Sequence, residues 1–298
     1  MGLKAQVSDG DGLSERDFDV IARLLNQLAG IELKPEKRAM IAARISKRTR
    51  ALGLHSLSEY CAYVSSPQGE TEHGAFISVL TTNMTRFNRE PKHFEHLREH
   101  ILPNLRRKAE RGERVRIWSA GCSSGEEAYD LAFAALGVCP KCPELDFKIL
   151  ATDIDRNILS IAEHGVYDAQ AVTGLPENIR GAFFQPTGHS NGELSVAPAA
   201  RKLISFGHLN LHSDWPFKGK FDVIMCRNVT IYFDAATQQR LWKRFAQALV
   251  PDGLLYIGHS ENVSPELLGH LKPIAPSIYQ SRGATGASGT ATQQEGKT

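Results

Sequence analysis

Two spacings of apolar residues divide the chain. From Leu13 to about Tyr63 they recur three and four apart, as at Phe18, Ile21, Leu24, Leu25 and Leu28. That spacing gives a helix one apolar face. Ser14 with Asp17 resembles a capping box built with the shorter acid, and Gly30 marks the end of that helix. A second helix is predicted from Pro35 to Leu52, with proline in its first turn and Gly53 just past its end. Ser56 to Tyr63 and Gly74 to Leu80 read as a third and a fourth. Phe94 to Ala109 reads as a connecting helix kinked or broken at Pro103.

Beyond that point short apolar runs alternate with helical periods. "VRIWSA" (Val115 to Ala120), "FKILATD", "KLISFGHLNL", "FDVIMC" (Phe221 to Cys226) and "GLLYIGH" (Gly253 to His259) read as strands, and "KPIAPSIYQ" as a short closing strand. Glu126 to Leu136, Asn157 to Glu163 and Ala235 to Leu249 read as the helices between them. The alternation predicts an α/β fold with a parallel sheet and crossover helices. Tyr167 to Ala200, rich in Gly and Pro, reads as a small inserted β-subdomain. Residues 1–12 and 282–298 are too poor in large apolar side chains to bury a core, and disorder is expected there. The domains expected are a helical one over 13–90 and an α/β one over 91–281 with the insertion at about 167–200.

Composition narrows the class. The chain has 298 residues, 42% apolar and 23% charged, with a formal net charge of +2. This is an ordinary soluble composition with no global case for nucleic acid. No run is long and apolar enough to span a bilayer, and the first residues lack a secretory core, so a cytoplasmic protein with no membrane insertion is expected. Five cysteines without a disulfide spacing fit a reducing compartment. "CPKC" (Cys139 to Cys142) has no second ligand pair for zinc and reads as the end of a helix, so no metal is expected.

Candidate chemistry gathers at strand ends. "WSAGCSSGEEAYD" puts Gly121 and Gly125 where a ligand can approach the backbone. It lacks both the three-glycine dinucleotide fingerprint and the Lys-Ser/Thr of a phosphate loop. Glu126 and Glu127 at the helix start suit capping, and they suit a cationic ligand better than a pyrophosphate. Asp153 ends the second strand, where such folds place an acid for ribose hydroxyls, while Asp155 reads as the next helix cap. A ribose acid without phosphate anchors points to S-adenosylmethionine. Arg227 and Asn228 leave the fourth strand at the same edge, and Tyr232 either enters the pocket or packs. "GHSENVS" after the fifth strand serves a substrate channel or satisfies a turn.

Three runs, "LTTNMTRFNREPKHFEHL", "IWSAGCSSGEEAYDLA" and "FDVIMCRNVTIYFD…GLLYIGHSEN", together resemble the chemotaxis receptor methyltransferases, the CheR family. The resemblance covers roughly Leu13 to Tyr279. It implies an N-terminal helical domain and a Rossmann-like class I methyltransferase sheet carrying an inserted β-subdomain. It also implies the activity of a protein-glutamate O-methyltransferase (EC 2.1.1.80). The donor is S-adenosyl-L-methionine, the product S-adenosyl-L-homocysteine, and the target the cytoplasmic helical bundle of chemoreceptors. Cofactor contacts then fall on Asn83, Thr85, Arg89, Glu127, Asp153, Asn210, Leu211, Arg227 and Asn228, and Arg89 and Tyr232 line the seat of the substrate carboxylate. Some members of the family tether to a receptor's C-terminal peptide through the β-subdomain. Asn88 stands where the family usually has a second aromatic, Ala128 where it has proline, and Thr230 where it has an apolar residue.

"KPEKRAMIAARISKRTR" adds a basic helix. Lys37, Arg44, Lys47 and Arg48 fall near one side, beside an apolar stripe of Ile41, Ile45 and Leu52. The expected role is docking on an acidic receptor bundle by a monomeric enzyme, with nucleic acid disfavoured for lack of interleaved aromatics. A non-catalytic, S-adenosylmethionine-binding adaptor is the competing expectation.

Overall fold

The computed structural model describes residues 12–188 and 192–283. Four helices come first: α1 (Glu15–Ala29), α2 (Arg38–Ala51), α3 (Leu57–Val64) and α4 (His73–Leu80). The Ser14 and Ser56 side chains accept from the backbone N–H groups of Asp17 and Glu59, which satisfies donors that a helix start leaves open. The apolar faces of these helices meet in one core around Ile21, Leu25, Ile41, Ile45, Tyr60 and Phe76.

The connecting helix is not continuous. It runs as α5 (Pro91–His96), widens into a π segment over Leu97–Ile101, and resumes as α6 (Leu102–Glu110). Pro103 has no N–H to give to the preceding turn, and the Leu102 N–H reaches back five residues to the Leu97 carbonyl.

The remainder builds β1 (Val115–Ala120), α7 (Glu126–Val138), β2 (Phe147–Asp153), α8 (Arg156–His164), β3 (Val166–Asp168), α9 (Glu177–Phe183), β4 (Phe184–Pro186), β5 (Glu193–Val196), α10 (Pro198–Leu203), β6 (Ile204–His208), β7 (Phe221–Cys226), α11 (Ala235–Ala248), β8 (Leu249–Ile257), β9 (Leu271–Ala275) and β10 (Ile278–Ser281). The main sheet has the order β6-β2-β1-β7-β8-β10-β9. The pairs among β6, β2, β1, β7 and β8 are parallel, while β10 is antiparallel to both its neighbours. The expected single closing strand is therefore a hairpin. Ser277, with φ 59, turns the chain after Pro276, a break that apolar content alone does not reveal.

Alternate residues of the central strands feed opposite faces, as the pleat requires. Ile117, Val223 and Met225 join the core under α7, whereas Trp118, Ile224 and Cys226 join the one under α11. The insertion is a three-stranded antiparallel sheet, β3-β5-β4. It begins one residue earlier than expected, and its last part returns to the main domain as α10. Residues 1–11 and 284–298, part of the expected disorder, lie outside the described residues. Arg282, read as tail, instead gives its N–H to the His270 carbonyl at 2.9 Å. Cys139 and Cys142 are unbridged and buried in the core behind α7. Among the described residues no helix is long and apolar enough to cross a membrane.

Candidate active site

After β1 the chain moves outward through β2 to β6, then crosses back to β7. The carboxyl ends of β1 and β7 therefore flank the point where strand order reverses, the usual ligand crevice of an open α/β sheet. A cleft opens there and encloses about 970 Å³, solvent at its mouth included. Its floor comes from Gly121, Cys122, Ser123, Asp153, Leu209, Asn210, Leu211, Arg227, Asn228 and Val229. Its roof comes from Ala29, Ile31 and the segment Leu80 to Thr85, so the helical half closes one side.

The two halves are stitched around this cleft. The Asn83 side chain donates to Asp155 at 2.8 Å, and its carbonyl accepts from the Ser123 hydroxyl at 2.8 Å. The Asn210 amide donates to the Leu28 carbonyl at 2.6 Å. The Glu32 N–H reaches the Tyr232 carbonyl at 2.8 Å, and Lys37 Nζ lies 5.6 Å from the centre of the Tyr232 ring.

Gly121 shows why the loop after β1 needs glycine. Its φ is +86, and a Cβ there would lie 2.4 Å from Val229 Cγ2. Ser123 also has a left-handed backbone, with φ 51, and its N–H points to Asp153 Oδ2 at 2.8 Å. Asp153 takes a second bond from the Asp155 N–H at 3.0 Å. Burial raises its pKa above the usual carboxylate value, and these backbone donors oppose the shift. Asp155 caps α8 as expected, accepting from the N–H groups of Asn157 and Ile158.

All nine residues expected at the cofactor line this one cleft, together with Tyr232. Their polar atoms differ in availability. Arg89 is half-exposed, and one guanidinium nitrogen donates to the Met84 carbonyl at 3.1 Å. The Tyr232 hydroxyl has no hydrogen-bond partner among the described residues. Arg227, by contrast, is buried and committed. Nε donates to Glu127 at 2.7 Å, Nη1 donates to the Arg89 carbonyl at 2.6 Å, and the guanidinium carbon sits 5.1 Å from the Phe94 ring centre. Glu127 also accepts from Ser119 at 2.6 Å. Both polar ends of Asn210 are used as well, the oxygen by the His212 N–H at 2.9 Å.

Asn88 is explained by its backbone. Its φ is 53, a region that Asn tolerates better than an aromatic residue does, and its N–H donates to the buried Asp130 at 2.6 Å. Four of the six non-glycine residues with positive φ among the described residues, Asn88, Glu90, Ser123 and Asn228, lie in or beside the cleft. Such strain concentrates where surrounding structure fixes a working geometry.

The basic helix needs a correction. Arg48 makes a two-pronged ion pair with the buried Glu72, both contacts 2.7 Å. Arg44 donates to the carbonyls of Val79, Leu80 and Thr81, which are the open acceptors at the end of α4. These two hold the helical domain together, and Lys37 and Lys47 are the exposed members of the expected set.

Sequence reasoning missed Met84, which is 83% exposed on the cleft wall, and Cys122 and Ile154, which line its floor. It also missed Glu90, His93 and His259, whose ligand-type atoms lie within 4.8 Å of one another. The Arg227 guanidinium, 3.6 Å from Glu90, already gives that carboxylate a cation. His93 is buried, and its pKa falls to about 4, first from burial and then from Arg227. The unfolded chain therefore takes up this proton near pH 6.5, whereas the folded chain does not until about pH 4. Stability tied to His93 is complete above pH 6.5 and is lost as pH falls toward 4. His93→Leu should reduce the loss of unfolding free energy between pH 7 and pH 5 by about 2 kcal/mol, read from denaturant curves at both pH values. An equal loss in both proteins would contradict this.

The description "CheR methyltransferase, all-alpha domain" matches residues 16–81, and "CheR methyltransferase, SAM binding domain" matches 83–276. The chain is 49% identical over 239 residues to a probable chemotaxis protein methyltransferase of Rhizobium etli, covering 80% of this chain and 89% of that protein. It is 40% identical over 264 residues to the chemotaxis protein methyltransferase of Salmonella typhimurium, covering 87% and 88%. The Escherichia coli protein of that name is 39% identical over 264 residues, covering 88% and 90%. A helical half and a switch-point cleft for S-adenosylmethionine, matched over nearly their whole length, make this chain a member of the CheR methyltransferase family.

Proposed function

We propose that this S-adenosylmethionine-dependent methyltransferase esterifies glutamate side chains on the cytoplasmic helical bundle of chemoreceptors (EC 2.1.1.80). The supporting observation is the pairing of Arg89 and Tyr232, which both line the cleft with polar groups left over for a ligand. In the reaction a carboxylate oxygen attacks the donor methyl carbon. The O–C bond forms as the C–S bond breaks, and the electron pair stays on sulfur. A glutamate is already ionised at neutral pH, so no general base is required. The carboxylate loses its charge and the sulfonium becomes a neutral thioether, S-adenosyl-L-homocysteine. What the protein supplies is alignment and exclusion of water. Arg89 holds the incoming carboxylate through its planar fork. Tyr232 gives that carboxylate one hydrogen bond. The donor is held by Asn83, Thr85, Glu127, Asp153, Leu211 and Asn228, with Asp153 on the ribose hydroxyls. Arg227 and Asn210 shape the floor.

Asp153→Ala removes the ribose acceptor and leaves two backbone donors without their acceptor. It should weaken S-adenosylmethionine binding by roughly tenfold or more, about 1.4 kcal/mol or above, by calorimetry. An unchanged affinity would refute the ribose role.

Docking on an acidic bundle would use the exposed Lys37 and Lys47, with Arg44 and Arg48 stiffening the helix beneath. The test is transfer of labelled methyl groups to a panel of cytoplasmic receptor fragments, with and without their C-terminal peptides. Alkali-labile label on the fragments supports glutamyl ester formation. Tight S-adenosylmethionine binding with no transfer to any fragment would favour the adaptor reading. Dependence on the C-terminal peptide would assign the β-subdomain a tethering role.

A further inference from the structure

Three ligand-type side chains gather where the start of α5 meets the end of β8. Glu90 and His93 lie three residues apart across the first turn of α5, and the His93 N–H donates to the Glu90 carbonyl at 3.0 Å. His259 follows β8, and its N–H reaches Glu90 Oε1 at 3.3 Å. The side chains converge. His93 Nδ1 lies 3.3 Å from Glu90 Oε2, and His259 Nδ1 lies 3.9 Å from Glu90 Oε1. The two imidazole ring centres are 5.3 Å apart.

This cluster is largely buried, and its polar atoms are not satisfied. The side chains of His93 and Glu90 are 2% and 11% exposed. Neither ring nitrogen of His93 has a hydrogen-bond partner among the described residues, and neither does Glu90 Oε2. Native interiors rarely leave such atoms unpaired, because each one costs its desolvation. Arg227 does not supply the missing bonds. Its hydrogen bonds go to Glu127 and the Arg89 carbonyl, and it approaches Glu90 Oε2 only to 3.6 Å. One guanidinium thus faces two carboxylates, which leaves room for a second cation.

The spacing suits a metal. An ion bonded tetrahedrally at about 2.0–2.2 Å holds two of its donors roughly 3.3–3.6 Å apart. The 3.3 Å between His93 and Glu90 already matches that edge. All three ligand atoms lie within 4.8 Å of one another, and the His259 side chain, 55% exposed, has the freedom to close the remainder. Its open side leaves a fourth position to water. Two imidazoles and a carboxylate are donors for zinc and similar ions, whereas magnesium and calcium take oxygens. We propose that Glu90, His93 and His259 form a site for one zinc-type divalent ion. The ion ties the start of α5 to the end of β8. Methyl transfer as written above requires no metal, so the ion acts as a restraint: it pins the residue that follows Arg89 in the chain.

The test titrates Zn²⁺ alone, by calorimetry, into the full chain after treatment with a chelator. One ion per chain should bind with a roughly micromolar Kd. Co²⁺ in its place should give the strong visible absorption of a tetrahedral ion, and Mg²⁺ should not compete. His259→Ala changes an exposed side chain, so the fold should survive. It should weaken Zn²⁺ binding by about tenfold or more and diminish the Co²⁺ spectrum. Glu90→Gln keeps the shape of the side chain, removes its charge and should do the same. His96 and His100, four residues apart with ring centres separated by 5.0 Å, are the rival surface pair. Loss of binding in His100→Ala with parent affinity in His259→Ala would mean an adventitious ion only, and would overturn the site. Absence of Zn²⁺ binding to the parent chain would overturn it as well.

Discussion

Arg89→Ala should reduce methyl transfer by roughly 10²-fold or more, because misplacing reacting atoms by about 1 Å already costs that much. The donor should remain bound, since Asp153 and the loop after β1 also line the cleft and are untouched by the substitution. Docking should also survive, because the substitution leaves the exposed bases Lys37 and Lys47 in place. The expected signature is a collapse of kcat with small changes in donor Kd and in KM for the receptor fragment. Arg89→Lys should recover only part of the rate. An ammonium restores the charge but not the planar fork that fixes the carboxylate in two dimensions. Turnover by Arg89→Ala within a few-fold of the parent would remove Arg89 from the mechanism. The backbone of this loop is already held without the side chain. Asn88 is tied to Asp130, and the Arg89 carbonyl to Arg227. Truncation therefore deletes the gripping group and one bond, to the Met84 carbonyl.

The sequence marks this site better than it marks the roles within it. Strand ends are legible because a parallel strand is a continuous apolar run, and the first polar residue after it lies at the ligand edge. Asp153, Arg227 and the Gly121 loop lie at such strand ends and line the cleft. The pairing of charged groups is not legible, because it joins residues far apart in sequence. Arg227 meets Glu127 across 100 positions. Arg48 meets Glu72 across 24, so a helix that looks uniformly basic has two of its cations turned to structural use. Asn210 lines the cleft, and its amide also reaches Leu28, 182 residues away. "GHSENVS" is the sharpest case. Its pattern fits a channel or a turn equally, and its Glu261 accepts from the N–H groups of Asn228, Val229 and Thr230 at another strand exit. Left-handed backbone at Asn88 and Asn228 carries a weak signal in residue type alone, since Asn tolerates φ > 0.

Arg227→Met is the second large effect expected, and it concerns stability as much as rate. The side chain of Arg227 is 2% exposed and that of Glu127 10%. With the guanidinium gone, Glu127 keeps, among the described residues, only the Ser119 hydroxyl, and Glu90 loses the cation 3.6 Å from its carboxylate. Removing one partner of a buried pair costs about 3–5 kcal/mol, because the charge left behind is uncompensated. That is a large part of the roughly 5–15 kcal/mol that holds an ordinary domain folded. Denaturant unfolding should report the loss directly. Glu127→Gln introduced into the Arg227→Met background should restore part of it by removing the stranded charge. A pair contributing only hydrophobic contact would show no such rescue. The rate should not return with the stability. Arg227 is also the donor that holds the Arg89 carbonyl, and an apolar side chain cannot replace that bond. Recovery of stability without recovery of methyl transfer would separate the two tasks of one guanidinium, neutralising Glu127 below the cleft and fixing the loop that carries Arg89. Full recovery of both would mean that the loop is held by Asp130 alone.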